Sequence, residues 1–167
     1  VYLIFTNEEN FFGFSEKNVD RKRPEKSKKY PHELDWKLTR VMINLIGLQK
    51  GETVCDPFCG TGTTLLESES MGINAIGIDF DEKMCEISKE NLRINNYKSK
   101  ILKSDFQELV KISKDFDGIV TDLPYGRSSK ASEKPEEILK KFIAIIPKHK
   151  KIAIMYKKEL DPKMKLK

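Results

Sequence analysis

Apolar and polar residues follow two different periods along the chain, and the change between them defines the predicted elements. Beyond residue 52, short apolar runs typical of buried strands alternate with longer segments whose apolar residues recur at helical spacing. Strands are predicted at 53–58, 74–80, 100–106, 117–123 and 151–157, and helices at about 63–71, 81–96, 107–113 and 135–146. Strands that alternate with helices over short connections predict an α/β fold with a doubly wound, mostly parallel sheet.

The first part of the chain follows a different pattern. Two apolar stretches, VYLIF and FFGFS, flank the polar TNEEN, which predicts a β-hairpin within 1–20. A basic linker is predicted at 21–34, and a helix follows at 35–48 with Asp35 as its N-cap. That helix places five apolar residues at helical spacing: Leu38, Val41, Met42, Leu45 and Ile46. Residues 35–167 are predicted to form one domain.

Acidic residues stand at or near the ends of four successive predicted strands. They are Asp56, Asp79, Asp105 and Asp122. Aspartate is a common turn and N-cap residue, so one of them alone would carry little meaning. The ligand of a doubly wound sheet binds beyond the carboxyl ends of its strands. Four acids at that edge therefore predict a binding site.

Charge adds a prediction about the partner. The formal net charge is +5, and basic residues gather in RKRPEKSKKY at 21–30, in PKHKK at 147–151 and in the lysine-rich tail. Lysine and arginine make most contacts to nucleic-acid phosphates, so these clusters favour a nucleic-acid partner. Solvated surface segments are the open alternative.

Several classes are disfavoured. No apolar run approaches the roughly 20 residues of a membrane span, so no membrane association is expected. The three cysteines, Cys55, Cys59 and Cys85, form no CxxC pair and have no histidine cluster beside them, so neither a disulfide framework nor a metal site is expected. A cytoplasmic location fits this cysteine usage best.

The segment DPFCGTGT, at 56–63, connects the first strand of the sheet to its helix. Its glycines, Gly60 and Gly62, let the backbone approach a ligand closely. The spacing is neither the GxGxxG of dinucleotide-binding proteins nor a P-loop. An acid in front of the glycines would repel phosphate, but it suits a cationic ligand that carries an amino acid.

The other strand ends complete the predicted ligand. Asp79 lies where a carboxylate can accept both hydroxyls of a ribose, and Phe80 can pack on an adenine. Asp105, with Phe106 beside it, can accept the adenine amino group. A nucleoside with a positively charged amino-acid tail is S-adenosylmethionine. The predicted cofactor-binding residues are Asp56, Pro57, Phe58, Gly60, Gly62, Thr63, Asp79, Phe80, Asp105 and Phe106.

Three motifs in this order, DPFCGTGT, GIDFD and TDLPYGRSS, resemble the archaeal and eukaryotic tRNA (guanine-10-N2)-methyltransferases. The segment RPEKSKKYPHELDWKLTRVMINL, at 23–45, resembles the stretch that leads into their catalytic domain, so the likeness covers about 21–156. It implies a Rossmann-like fold in 35–167 and methyl transfer from S-adenosylmethionine to the exocyclic N2 amine of a guanosine in tRNA, at position 10.

The resemblance also assigns roles to DLPY at 122–125. The family's motif is an acid or Asn, two prolines and an aromatic residue, and here Leu123 stands in place of the first proline. The Asp122 carboxylate and the Leu123 carbonyl are expected to hold the amine, Pro124 to rigidify the corner, and Tyr125 to stack on the base. Contacts to tRNA are expected from Arg127 and from the linker residues Arg21, Arg23, Lys28 and Lys29.

Members of this family carry an RNA-binding domain, and their fold continues after the fifth strand of the sheet. A truncated sheet, a separate or deleted RNA-binding domain and weak activity of the isolated chain are therefore expected, with the hairpin as a remnant of that domain. Adenine N6 and a protein glutamine amide remain alternative methyl acceptors, because both present planar NH2 groups. A non-catalytic RNA-binding subunit is a further alternative. A dinucleotide-dependent oxidoreductase lacks the required glycine spacing.

Overall fold

The computed structural model describes residues 2–5, 10–13, 23–27, 33–124 and 134–156. The strands are β1 (Tyr2–Phe5), β2 (Asn10–Gly13), β3 (Thr53–Asp56), β4 (Asn74–Asp79), β5 (Lys100–Lys103), β6 (Gly118–Asp122) and β7 (Lys151–Met155). The helices are α1 (Trp36–Leu45), α2 (Thr63–Ser70), α3 (Glu82–Ile94) and α4 (Pro135–Ile145), with a 3₁₀ helix at Phe106–Val110.

Five strands form one parallel sheet in the order β5-β4-β3-β6-β7. The chain moves outward from β3 to β5, then returns to the other side of β3 for β6 and β7. This reversal makes the edge beyond β3 and β6 the topological switch point, where such sheets bind ligands. The predicted doubly wound parallel sheet is confirmed.

Helices cover both faces of the sheet and produce two apolar layers. One layer joins α1 and α2 to the sheet and includes Met42, Leu65 and Val54. The other joins the 3₁₀ helix and α4 to the opposite face and includes Leu109 and Phe142. Because the central strands are buried on both faces, they appear in the sequence as continuous apolar runs.

The predicted cap of the first helix is confirmed, but its predicted apolar face is only partly buried. Asp35 Oδ1 accepts hydrogen bonds from the backbone N–H groups of Lys37 at 2.9 Å and Leu38 at 3.3 Å. Of the five apolar positions, only Met42 and Ile46 are buried. The other three are exposed by 37, 49 and 75%, and they are Leu38, Val41 and Leu45.

The N-terminal segments form a hairpin and a stretch that packs on α3. Strands β1 and β2 pair antiparallel, so the predicted hairpin is confirmed for residues 2–5 and 10–13. Residues 23–27 of the predicted linker lie against α3, where Asn95 bonds both backbone polar groups of Glu25 and Asn91 accepts from Ser27. The proposed division into three segments remains a prediction. In the described part of the chain, no helix has the length and apolarity needed to cross a membrane.

A buried carboxylate connects the two strands at the switch point. The paired residues of β3 and β6 are Val54 with Gly118 and Cys55 with Ile119, whereas β6 continues for three more residues. Beyond the last pair, Thr121 Oγ1 donates to Asp56 Oδ1 at 2.7 Å. A side-chain hydrogen bond thus continues the connection where the backbone ladder ends.

Burial raises the pKa of Asp56 to about 6, against hydrogen bonds from Thr64, Thr121 and Phe58 that favour the charged form; the charge of Asp122 adds to the rise. The ordinary value is 3.8. The folded protein binds this proton more tightly than the unfolded chain does. Protonation of Asp56 therefore stabilises the folded state, and this contribution is fully present below the ordinary pKa. It is lost as the pH rises through about 6.

We therefore expect Asp56→Asn to become more favourable as the pH rises. The amide keeps an oxygen for Thr121 and Phe58 but carries no charge. Relative to the wild type, its free energy of unfolding should rise by about 2 kcal/mol between pH 4.5 and 7.5. Urea unfolding at both pH values measures this difference, and a difference that stays constant with pH would contradict the buried-charge account.

Candidate active site

The loop between β3 and α2 carries the two glycines in the left-handed region of the backbone. Gly60 has φ 51° and Gly62 has φ 85°, a conformation that strains other residues. Gly62 also lies against α3, because a Cβ built on it would lie 2.3 Å from Ser88 Oγ. Ser88 is fully buried and its hydroxyl has no hydrogen-bond partner. Conformation and space together therefore require glycine at 62.

Asp79 connects this loop to the end of β4. Its Oδ2 accepts from the backbone N–H of Gly60 at 2.8 Å, and its Oδ1 accepts from that of Asp81 at 2.9 Å. Burial raises the pKa of Asp79, although both backbone bonds favour the charged form. Each carboxylate oxygen has a second lone pair, so the side chain can accept further hydrogen bonds from a ligand.

Aromatic residues line the neighbouring part of the edge. The rings of Phe58 and Phe106 lie 5.2 Å apart, and both pack edge-on against Phe142 of α4. The structure therefore brings together two of the residues predicted to line the pocket. Phe80, at the end of β4, is 47% exposed and offers an apolar face to solvent.

Asp105 is engaged differently from Asp56 and Asp79. It is exposed and caps the 3₁₀ helix by accepting from the backbone N–H of Gln107 at 3.0 Å. Its predicted contact to an adenine stays a prediction. The other predicted members of the loop, Pro57 and Thr63, are buried.

The corner after β6 explains why leucine is accepted at 123. The Leu123 side chain is 1% exposed and packs in the layer beneath α4, while its N–H donates to the carbonyl of Met155 at 3.2 Å. Asp122 and Pro124 on either side are half-buried. The Leu123 side chain thus fills more of the core than a proline ring would. Its hydrogen bond to Met155 of β7 fixes the orientation of its backbone.

The predicted nucleic-acid residues are only partly within the described chain. Arg23 is exposed, and its guanidinium lies 4.9 Å from the centre of the Trp36 ring. Lys37 Nζ lies 5.7 Å from the same ring and is also exposed. The other predicted residues lie outside the described part of the chain: Arg21, Lys28, Lys29 and Arg127 for the nucleic acid, and Tyr125 of the corner after β6.

Sequence reasoning missed the residues that hold the glycine loop from outside. Lys26 and Glu33 contact its threonines, and Asn91 of α3 donates to the Thr61 carbonyl at 2.9 Å. A polar residue on the inner face of α3 and a Lys–Glu pair in the basic segment are faint signals without the fold.

These groups suit S-adenosylmethionine. A half-buried carboxylate with spare acceptor capacity beside an exposed aromatic ring suits an adenosine, and the glycine loop suits a close backbone contact. Among the described residues, no group of three or more histidine, cysteine or acidic side chains could hold a metal ion.

All three cysteines are buried and unpaired. Gly77 leaves room for the side chain of Cys59, whose Sγ would lie 2.8 Å from a Cβ there.

We expect the two glycines to differ in their response to alanine. Gly60→Ala meets nothing within 4 Å and should cost only the left-handed conformation, about 1–2 kcal/mol. Gly62→Ala adds the clash with Ser88 and should cost roughly 1–3 kcal/mol more. Urea unfolding compares the two variants. Equal costs, or no recovery in Gly62→Ala/Ser88→Gly, would contradict the steric account.

Comparison with known proteins identifies the family. Residues 23–164 match the family described as RMKL-like, methyltransferase domain. The chain is 39% identical over 134 residues to the tRNA (guanine(10)-N2)-dimethyltransferase of Methanothermobacter thermautotrophicus, covering 77% of this chain and 39% of that protein. It is 34% identical over 131 residues to the protein of the same name from Pyrococcus abyssi, covering 77% and 38%. The chain spans less than half the length of these relatives.

Solved structures support the fold. TrmN from Thermus thermophilus matches with a TM-score of 0.59 at 23% identity, covering 72% of this chain and 38% of that one. The SAM-dependent methyltransferase from Agrobacterium tumefaciens matches with a TM-score of 0.53 at 18% identity, covering 71% and 42%. The predicted Rossmann-like methyltransferase fold and the resemblance to the tRNA guanine-N2 enzymes are confirmed. Because the family match extends over residues 23–164, the chain belongs to the RMKL-like methyltransferase domain family.

Proposed function

We propose that this domain transfers a methyl group from S-adenosylmethionine to the exocyclic N2 amine of a guanosine in tRNA, at position 10. The observation that carries the proposal is the Asp122–Pro124 corner at the end of β6, next to the buried tie between Thr121 and Asp56. The names of the archaeal relatives support the same substrate.

The glycine loop and the end of β4 form the proposed cofactor site. Asp79 accepts hydrogen bonds from the ribose hydroxyls, and Phe80 packs on the adenine. Asp105 accepts a hydrogen bond from the adenine amino group, with Phe106 beside it. Asp56 lies buried beneath the amino-acid end, where its negative charge complements a cationic ligand. When bound, the cofactor supplies an electrophilic methyl group on a sulfonium.

The corner after β6 orients the nucleophile. A guanine amine is a poor nucleophile because its lone pair is delocalised into the ring. If the Asp122 carboxylate and the Leu123 carbonyl accept hydrogen bonds from its two N–H groups, the lone pair of the amine is directed at the methyl group. The new N–C bond forms as the C–S bond breaks, and the electron pair of that bond stays on sulfur. The amine then loses one proton to Asp122 or to water.

Other groups of the chain hold the RNA. Tyr125 stacks on the displaced base and Arg127 binds a neighbouring phosphate. Arg23 and Lys37 both lie at the Trp36 ring as an exposed cationic surface that suits phosphate contacts. Arg21, Lys28 and Lys29 are further candidates for phosphate contacts. A further RNA-binding domain, in the same protein or separate, selects the tRNA. The protein acts in the cytoplasm, without a membrane or a metal partner.

We expect Asp122→Ala to lose methyl transfer while keeping the cofactor. Because alanine has no oxygen to accept a hydrogen bond from the amine, the single-turnover rate on a tRNA transcript should fall by about 10²–10³. Enzyme in excess over tRNA compensates for weak activity of the chain alone, and mass spectrometry of the nucleosides identifies the product. Asp115→Ala, at an exposed position in the loop before β6, is the matched control and should be unaffected.

The product decides between the acceptors. N2-methylguanosine at position 10 supports the proposal, and the count of methyl groups distinguishes one transfer from two. N6-methyladenosine would instead identify adenine N6 as the acceptor, and a methylated glutamine in a protein substrate would identify the amide. Cofactor binding without any methylated product would instead indicate a non-catalytic RNA-binding subunit.

A further inference from the structure

A buried ion pair lies between the basic segment and the start of α2. Lys26 Nζ lies 2.7 Å from Glu33 Oε2, and the two side chains are only 6% and 17% exposed. Surface pairs of this kind contribute little, but a shielded pair with good geometry is costly to break. Its position, rather than its strength, suggests a role in the active site.

Both members of the pair contact the glycine loop. Lys26 Nζ donates to Thr63 Oγ1 at 2.6 Å, and Thr61 Oγ1 donates to Glu33 Oε1 at 2.6 Å. Asn91 completes the attachment by donating to the Thr61 carbonyl at 2.9 Å. The residues on both sides of Gly62 are therefore fixed by side chains that come from outside the loop.

The placement of Lys26 is electrostatically unfavourable by itself. Its ammonium lies at the first turn of α2, where the helix dipole is positive. Burial lowers the pKa of Lys26, and the hydrogen bond to Glu33 opposes that effect. The Lys26 ammonium is therefore stabilised at this point by the Glu33 carboxylate. The same two side chains restrict the motion of the glycine loop through their contacts to Thr63 and Thr61.

The glycine loop needs external contacts because its two glycines make its backbone flexible. Gly60 and Gly62 both adopt positive φ values that glycine reaches and leaves easily. The Gly60 end is held by Asp79, whereas the Gly62 end has no side-chain cap. The hydroxyl contacts to Lys26 and Glu33, together with the Asn91 bond to the Thr61 carbonyl, constrain that end.

We propose that Lys26 and Glu33 are positioning residues that hold the Gly62 end of the loop in the shape that accepts the amino-acid end of the cofactor. This role rests on the proposed function. The adenosine end is held separately by Asp79. Loss of the pair should therefore affect the two ends of the ligand unequally.

The test uses the full chain in four forms. They are wild type, Lys26→Met, Lys26→Met/Glu33→Gln and Asn95→Ala. The double variant avoids leaving a lone buried charge, so a folded protein remains available. Asn95→Ala is the matched control, because it releases the basic segment at Glu25 without touching the loop threonines. Thermal unfolding establishes that each variant is folded.

Two measurements are made on each form. Hydrogen exchange of the ligand-free protein follows the amides of 60–66, and calorimetry gives the Kd for S-adenosylhomocysteine and for 5′-methylthioadenosine, which lacks the amino acid. In both Lys26 variants we expect exchange in the loop and the Kd for S-adenosylhomocysteine to rise by about tenfold, the effect of losing one hydrogen bond to a charged group. Methylthioadenosine affinity and the control should change by less than about twofold.

Four results would overturn the role of the pair. Equal weakening of both ligands, or an equal effect of Asn95→Ala, would show a general loss of structure. Unchanged exchange and unchanged Kd values would show that the pair does not position the loop. Wild-type protein that binds neither ligand would overturn the proposed cofactor and this role with it, which separates the two failures.

Discussion

The hydrogen bond between Thr121 and the buried carboxylate of Asp56 is the constraint on which the active edge depends. It lies where the pairing of β3 with β6 stops and the two strands begin to part. The strand order reverses at this point, which is where doubly wound sheets bind ligands. The Thr121–Asp56 hydrogen bond joins the two strands at the base of that position. The glycine loop leaves β3 on one side of this hydrogen bond, and the corner that begins at Asp122 leaves β6 on the other.

From that base, the structure divides the work of the site among separate elements. The end of β4 holds one end of the glycine loop through Asp79, and α3 with the basic segment holds the other through Asn91 and Lys26. The corner after β6 is fixed by β7 and by the buried Leu123 side chain. Each residue that we propose to contact a ligand is thus positioned by backbone that another element supports, which is what the proposed methyl transfer would require.

Much of the fold could be predicted because it depends on local patterns. The central strands are continuous apolar runs, and the cap at Asp35 follows from its place before a helical pattern. The exposed Leu45 was not predictable in the same way, since spacing alone does not show which part of a broad apolar stripe meets the sheet. The loop contacts of Lys26 and Asn91 join residues far apart in the chain. They exist only after the basic segment has packed on α3.

The most direct test of this account is a calorimetric titration of the chain and of Asp79→Asn with S-adenosylmethionine. The account predicts one saturable site in the wild type and an affinity weakened by about tenfold or more in the variant, because a charged acceptor for the ribose is lost. Equal affinities would remove Asp79 from the site, and absence of binding to the wild type would contradict the cofactor site at this edge of the sheet.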